Sequence, residues 1–576
     1  MRKRLGIAAF LVPLAAGAAA ALLSLSGPGD AAGLRIYDAL LRLRSPGAFP
    51  REILLVEAED ATAPGVWDGI GMAEGIAALA ELGARYVVLP SASSLGPPAG
   101  SGAELADAVE SELGTVDANV AALFDAIRLG SVSPKDSPRY VAELLKTIDA
   151  GKARLLAAAA GAGRVGRERL AGALRLQGRA YLAFDPLSDG SAGAELASSG
   201  ARGAGYAPLM IDPDGARRRL AIVSRRRAGG YGHPAFAALL DRLDGPAMAT
   251  GSELAEGGDF VVLRGASIHR KNGDIPIPLS REGLLIEWPR PGSGIPRRLP
   301  WGELGRAAIL EDELAQALDG LAKAGLIPAG AGLLRDLREH AGRVGEEALR
   351  GSSSLEAWRE ARERYFERAA MILSAGSEAA LLAATRAGLL DAASEEEATA
   401  LRHKADRIES GYAGARETQA ELSMLRARLK RELAGSFCIV APARAAEGLR
   451  PDPYGEEASE GLASAAAVGS ILSERFLREL PPLLGAALGA FLALAVAVAS
   501  AWLGKRWAAL EGGALALLAV AACVLVFAYS GNYLSPLGPA LGPLAAAVAA
   551  LFAKSAVQAP ATSSSPDSPL SGRSAS

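Results

Sequence analysis

Four stretches of the chain are almost free of charge. Residues 6–24 (GIAAFLVPLAAGAAAALLS) follow the cationic start Met1-Arg2-Lys3-Arg4, and three more crowd the other end, at 482–503, 507–529 and 534–553. A run of about 20 apolar residues crosses the hydrocarbon core as a helix, because a helix bonds its backbone polar groups internally. The pattern therefore predicts four transmembrane helices, one in a segment 1–26 and three in 481–553. For the first, the competing reading is a cleaved signal peptide, since Ala18 to Ala21 offers small residues to a peptidase. The uncleaved anchor is preferred.

Cations stand at Arg2 to Arg4, at Lys505-Arg506 and at Lys554. With all three groups inside, four helices thread the membrane consistently and residues 27–480 face outward. The expected location is thus the cytoplasmic (inner) membrane, multi-pass, with a large extracytoplasmic domain. Glu511 lies about one turn from Lys505-Arg506 and reads as an interfacial carboxylate rather than a functional intramembrane acid. Gly485 and Gly489, and again Gly538 and Gly542, are spaced to allow close helix approach within a bundle.

Between these runs the pattern changes. Ile53 to Val56, after Pro50 and before the acids Glu57, Glu59 and Asp60, reads as a buried strand ending at a polar edge. Residues 73–83 have helical periodicity and stop at Gly83, and Tyr86 to Leu89 reads as the next strand, together a parallel crossover unit. Further strands are expected at 181–184, 206–210, 218–224, 259–264, 284–288 and 436–440, with helices at about 103–128 and 138–160. Asp212-Pro213-Asp214-Gly215 is a turn. Residues 304–434 differ, being rich in Glu, Arg, Ala and Leu. Tyr412, Ala415, Leu422, Leu425, Leu429 and Leu433 form a helical stripe there, expected to pack back on the α/β body rather than to build an intermolecular coiled coil.

The expected fold class is therefore an α/β extracytoplasmic domain with a long helical insert, plus four transmembrane helices. Its parts are 27–303, the insert 304–434, a closing part 435–480, and a polar Ser/Pro-rich cytoplasmic tail 554–576 that is too short to fold. The chain is expected to carry no cytoplasmic output domain.

Composition narrows the chemistry. Apolar residues make up 50% of the 576, and 61 Lys and Arg against 64 Asp and Glu give a net charge of -3, without the basic excess of a nucleic-acid binder. The two cysteines, Cys438 and Cys523, are not placed to pair, and the four histidines are scattered, so no disulfide framework or zinc site is expected and no cofactor is implied. A hydrolase drawing on Glu57, Glu59, Asp60, Asp185, Asp189, Asp212 and Asp214 would need two converging carboxylates; turns account for most of these, and Gly-x-Ser-x-Gly does not occur. No catalytic or metal residue is assigned. The candidate ligand-binding edge is Glu59, Asp60 and Thr62, because open α/β sheets bind ligands at strand carboxyl ends; the competing reading is a solvated loop or helix cap.

Several segments taken in order carry a family likeness. Tyr37-Asp38 followed by Arg42-Leu43-Arg44, the strand Leu54 to Thr62, Trp67, Leu82-Gly83-Ala84, the Asp212-Pro213-Asp214-Gly215 hairpin reaching Arg218, Ile275 to Leu279 with Gly283 to Ile286, and the helix Gly461 to Leu477 resemble the extracytoplasmic sensory domain of the second CHASE type. That family is found on bacterial adenylate cyclases and histidine kinases, with one membrane helix before the sensor and three after it. The resemblance covers about 27–303 and 435–553. Leu89-Pro90 stands where the family has Phe-Asp, Ser464-Ala465-Ala466 replaces His-Ala-Asn, and the insert is longer than the usual connection.

The resemblance implies a membrane-embedded sensor of an extracytoplasmic signal, not an enzyme, that relays to a membrane or cytoplasmic signalling partner. Its other partners are the lipid bilayer and, compatibly, a second copy in a homodimer; nucleic acid is not expected. The alternative is an envelope scaffold, suggested by the helical insert.

Overall fold

A computed structural model describes residues 2–58, 69–89, 102–131, 135, 137–183, 200–206, 210–224, 231–243, 260–268, 271–280, 283–292, 296–327, 331–442, 450–503 and 505–553. It is a mixed α/β structure, mostly helical, that divides into two compact units. One comprises residues 1–46, 212–216 and 476–576; the other comprises 47–211 and 217–475.

The first unit holds α1 (Arg2–Leu23), α2 (Gly27–Leu43), α13 (Pro482–Trp502), α14 (Lys505–Ser530) and α15 (Leu537–Ala553). Among the described residues, Pro482–Trp502 and Arg506–Ser530 are long and apolar enough to cross a membrane. A third span is counted if Phe10–Leu23 and Gly27–Leu43, bent by 69° at their break, act as one; Leu537–Phe552 is a shorter apolar helix. The turn 212–216 closes as expected: Gly215 N–H donates to Asp212 O at 2.9 Å with Gly215 at φ +87°.

Glycines bring the apolar helices together. A Cβ on Gly489 would overlap Gly538 O, one on Gly542 would overlap Gly489 O, and one on Gly17 would overlap Ala493 and lie 2.7 Å from Gly542 O. The two expected small-residue pairs therefore face each other across α13 and α15, and α1 joins at the same level. Small residues let dispersion contacts form between backbones. The helix α2, not foreseen in the sequence, buries Tyr37 edge-on against Phe527 and Tyr533, with centroids 5.6 and 5.2 Å apart. Arg44 lies 5.9 Å over the Phe527 ring.

The second unit is built on a six-stranded parallel sheet. Its strands are β1 (Ile53–Ala58), β2 (Tyr86–Leu89), β3 (Ala180–Ala183), β4 (Gly203–Gly205), β11 (Arg297–Pro300) and β12 (Phe437–Pro442), in the order β11-β1-β12-β2-β3-β4. Ile53 to Val56 are wholly buried, as a strand covered on both faces must be. The expected β1–helix–β2 crossover is present, but β12 sits between its strands, pairing Leu55 with Ile439 on one side and Val88 with Ile439 on the other.

On one face Leu54, Val56, Val87, Leu89, Cys438 and Val440 pack in a single core with α3 (Gly69–Glu81), α5 (Ser137–Gln177) and the helical module. The opposite face meets α6 (Pro234–Arg242) and α12 (Glu460–Leu472), where Tyr86 stacks on Phe437 at 5.6 Å. Gly83 ends α3 at φ +99°, a conformation open to glycine. The helix expected to stop at 160 runs to Gln177: burial of Leu170, Ala173 and Leu174 outweighs its glycines. The strand expected at 206–210 lies earlier, at β4, where Gly205 allows Gly232 O and Pro234 to approach.

The module comprises α7 (Trp301–Lys323), α8 (Ala331–Arg350), α9 (Leu355–Ile372), α10 (Ala375–Leu390) and α11 (Glu395–Leu433). Ser354 and Ser394 cap α9 and α11, accepting from Ala357 and Glu397 N–H, both at 3.1 Å. Every member of the Tyr412–Leu433 stripe is buried, and the stripe joins the core of the sheet rather than an outward seam.

Candidate functional site

A parallel sheet collects all its carboxyl ends at one edge. β1 there ends in Glu57 and Ala58, and the Glu57 carboxylate pairs with Arg298 of β11 at 3.3 Å. Glu59, Asp60 and Thr62, the sequence candidates, lie outside the described residues, as do Asp185 and Asp189. Asp212 and Asp214 belong to the turn of the other unit.

Two helix N-termini stand at this edge. Ser459 Oγ accepts from Leu462 N–H at 3.2 Å to cap α12, and Gly461 packs on Ala441 near the end of β12. His233 caps α6, its Nδ1 accepting from Ala235 N–H at 3.2 Å. That bond fixes the Nε2–H tautomer, and Nε2 is buried without a partner among the described residues. Burial pushes the His233 pKa down to about 3.

Beside α12 the chain buries Arg217, Arg218 and Arg219, each 3% exposed or less. Arg217 N–H donates to Pro451 O at 2.8 Å, tying it to the hairpin of β13 (Arg450–Pro451) and β14 (Glu457–Ala458). Burial raises the Glu460 carboxyl to about 7, the Arg217 charge only partly opposing it. Asp452 closes the hairpin by accepting from Tyr454 N–H at 2.8 Å and Glu456 N–H at 3.0 Å; burial raises its pKa and these bonds oppose the rise. Cys438 is buried in the sheet, and burial pushes its thiol up to about 12 despite a 3.1 Å contact to Ser436 Oγ, so it is a poor nucleophile. Among the described residues no three His, Cys, Asp or Glu side chains are placed to hold a metal ion.

A second assembly lies where α3 and α5 meet the module. Arg359 of α9 donates to the carbonyls of Ala80 and Glu81, the latter at 2.9 Å, at the C-terminus of α3. The Ala80 carbonyl also accepts from Gly83 N–H at 3.2 Å, and the last carbonyls of a helix carry partial negative charge, so a guanidinium suits them. The Glu81 side chain is 7% exposed and receives Arg362 Nε at 2.9 Å and Arg426 Nη2 at 2.6 Å on Oε1. Both arginines also reach Glu311 of α7, Arg426 Nη1 at 2.7 Å. Burial disfavours the Glu81 charge, but the two arginines outweigh it and hold the pKa below the usual carboxylate range. Arg362 lies 5.5 Å from the Trp358 and Phe366 rings, and Arg426 lies 4.5 Å over Phe366.

This ion network forms one wall of a cavity of about 380 Å³. Its aromatic lining is Trp358, Tyr365 and Phe366. The pairs Arg338–Asp312, at 2.7 Å, and Arg169–Glu346, at 2.6 Å, also line it.

The profile of the CHASE2 domain matches residues 14–304, just over half of the chain. The chain belongs to the CHASE2 domain family. CHASE2 domains are extracytoplasmic sensor domains, and here candidate membrane helices accompany one, which points to a membrane protein. No curated protein and no solved structure matches the chain. The CHASE2 match ends at residue 304, so the cavity has α3 and α5 from the matched stretch on one side and α8, α9 and α11 from beyond it on the other.

Sequence reasoning did not find the cavity, since Arg362 and Arg426 are 281 and 345 residues from Glu81. One signal was present. Glu81 is an acid at the last position of a helix, where the macrodipole disfavours it, and such a residue calls for a cationic partner.

Proposed function

We propose that the chain is a multi-pass membrane sensor: its CHASE2 domain binds an extracytoplasmic signal, and the resulting change passes through the membrane helices to a signalling partner. The observation that carries this reading is the CHASE2 match over residues 14–304 in a chain with apolar helices toward both ends. The proposed topology has four membrane helices in the cytoplasmic membrane, α1, α13, α14 and α15, with cations Arg2 to Arg4 and Lys505-Arg506 inside. A signal shifts such a protein only if it binds two conformations with different affinity. The reading assigns the chain binding and relay, with no covalent chemistry.

Topology is the deciding test. Ser423 is exposed on α11, whereas Cys438 and Cys523 are buried. A Ser423→Cys variant is expected to react with a membrane-impermeant maleimide in intact cells. Reaction only after permeabilisation would place the module inside and remove the sensor reading.

A further inference from the structure

We propose that the cavity between α3, α5 and the helical module binds a zwitterionic small molecule of amino-acid size, carrying an ammonium and a carboxylate on an apolar or aromatic body. The site rests on the sensor reading for its purpose but not for its test.

The argument begins with charge. Glu81 and Glu311 share Arg362 and Arg426 between them, two acids for two bases. Arg338 with Asp312 and Arg169 with Glu346 add two more matched pairs, and Glu74, the fifth acid of the lining, is engaged by a partner of its own. A ligand with one net charge would enter a lining whose charged groups are already engaged, with no counter-charge of its own. The penalty for a desolvated charge without a partner runs to several kcal/mol. A dipolar ligand brings both signs. Its ammonium meets the carboxylates Asp312 and Glu346, and its carboxylate meets the guanidiniums Arg338 and Arg169, while the buried pairs stay intact. The Arg338–Asp312 pair is half exposed or more on each side, so it opens to a ligand at small cost.

The body of the ligand follows from the rest of the lining. Trp358, Phe366 and Tyr365 line the cavity together with Ala77, Ala341 and Leu349, which supply apolar surface. Arg362 and Arg426 already lie against the Trp358 and Phe366 rings, so the lining lacks the open aromatic cage that a lone organic cation would need. At about 380 Å³ the cavity stands at the small end of ligand sites. That suits one amino acid.

The test uses the full chain in lipid nanodiscs and isothermal titration calorimetry with three probes sharing one body: L-phenylalanine, 3-phenylpropionate and 2-phenylethylamine. L-phenylalanine is expected to bind at least about tenfold more tightly than either singly charged analogue. Gly342 lines the cavity, is itself exposed, and a Cβ there would meet nothing within 4 Å. The backbone at Gly342 therefore accepts a side chain, and the indole of Gly342→Trp is expected to plug the opening, on a helix that gains propensity over glycine. It is expected to abolish binding with Tm unchanged or raised. Equal binding of all three probes, binding by none, or full affinity in Gly342→Trp overturns the proposal. Failure to bind with Ser423→Cys labelled in intact cells removes the ligand assignment alone; binding with Ser423→Cys labelled only after permeabilisation removes the sensor reading and leaves the site.

Discussion

Arg426 of α11 donates to the carboxylate of Glu81 at 2.6 Å across 345 residues of chain, and that bond ties the helical module to the α/β body. Both side chains are largely buried, at 21% and 7% exposed. Removing one of the two leaves the buried four-membered network with one charge too few. Glu81→Gln and Arg426→Met are each expected to destabilise by about 3–5 kcal/mol. Because the Glu81 pKa is lowered in the fold, its contribution is complete above the ordinary carboxylate value of about 4.3 and is lost as pH falls through the lowered one. Denaturant unfolding at pH 7 measures the cost, and a loss below about 1 kcal/mol would show the pair to be no more than a surface bridge.

Glu460 gives the opposite pH dependence. An unfolded glutamate ionises near about 4.3, whereas this one is raised to about 7 by burial. The folded chain then keeps a proton that the unfolded chain has released, so stability is full below about 4.3 and declines as pH rises through about 7. Glu460→Gln stays neutral throughout. It is expected to flatten the decline in unfolding midpoint between pH 5 and 8; an unchanged slope would show that Glu460 does not carry it.

His233 works in the other sense. Its pKa, lowered to about 3 by burial, lies below the unfolded value of about 6.5, so stability is complete above about 6.5 and is lost as pH falls toward 3. Asparagine offers the same capping acceptor without the titration. His233→Asn should retain the pH 7 stability and lose less on acidification, while His233→Ala, equally free of the titration, should lie about 1 kcal/mol below His233→Asn at every pH. Acid unfolding curves of the two variants separate cap from charge.

The glycine crossing of α13 and α15 admits no side chain. A Cβ on Gly489 overlaps Gly538 O, whereas Gly513 on α14 has open space around it. Gly489→Val is expected to lower Tm in detergent by several degrees and Gly513→Val to leave it within about one degree. Equal effects would show that close backbone approach does not hold these helices.

Much of this was legible in the chain. The buried strands β1, β2 and β12, the helix end at Gly83, the stripe from Tyr412 to Leu433 and the paired glycines of α13 and α15 follow from local pattern, because each is set by residues within a few turns of one another. What stayed hidden depends on distant partners. Nothing near Phe437 says that it lies between β1 and β2, and Arg297-Arg298-Leu299-Pro300 gives little sign of an edge strand, since only Leu299 is buried. The helix α2 was missed because Gly27, Pro28, Gly29 and Gly33 suggest a loop, although Pro28 suits a first helical turn and burial of Leu34, Tyr37, Leu40 and Leu41 supplies the stability. The cavity escaped for the same reason: Trp358, Arg362 and Arg426 read as an ordinary amphipathic surface until α3 is set against them.

The place of β12 in the sheet imposes an order on biogenesis. Its two neighbours, β1 and β2, leave the ribosome roughly 20–80 s before it, at the usual rate of synthesis. Until then two strand edges of this nascent domain stand open toward a gap, vulnerable to pairing with the wrong chain. A ribosome stalled before Phe437 should hold β1 and β2 open to protease, and one stalled well beyond Pro442, with that segment clear of the exit tunnel, should not. Attenuating translation late in the message would thus prolong exposure, and a holdase present at that interval would shorten its harm.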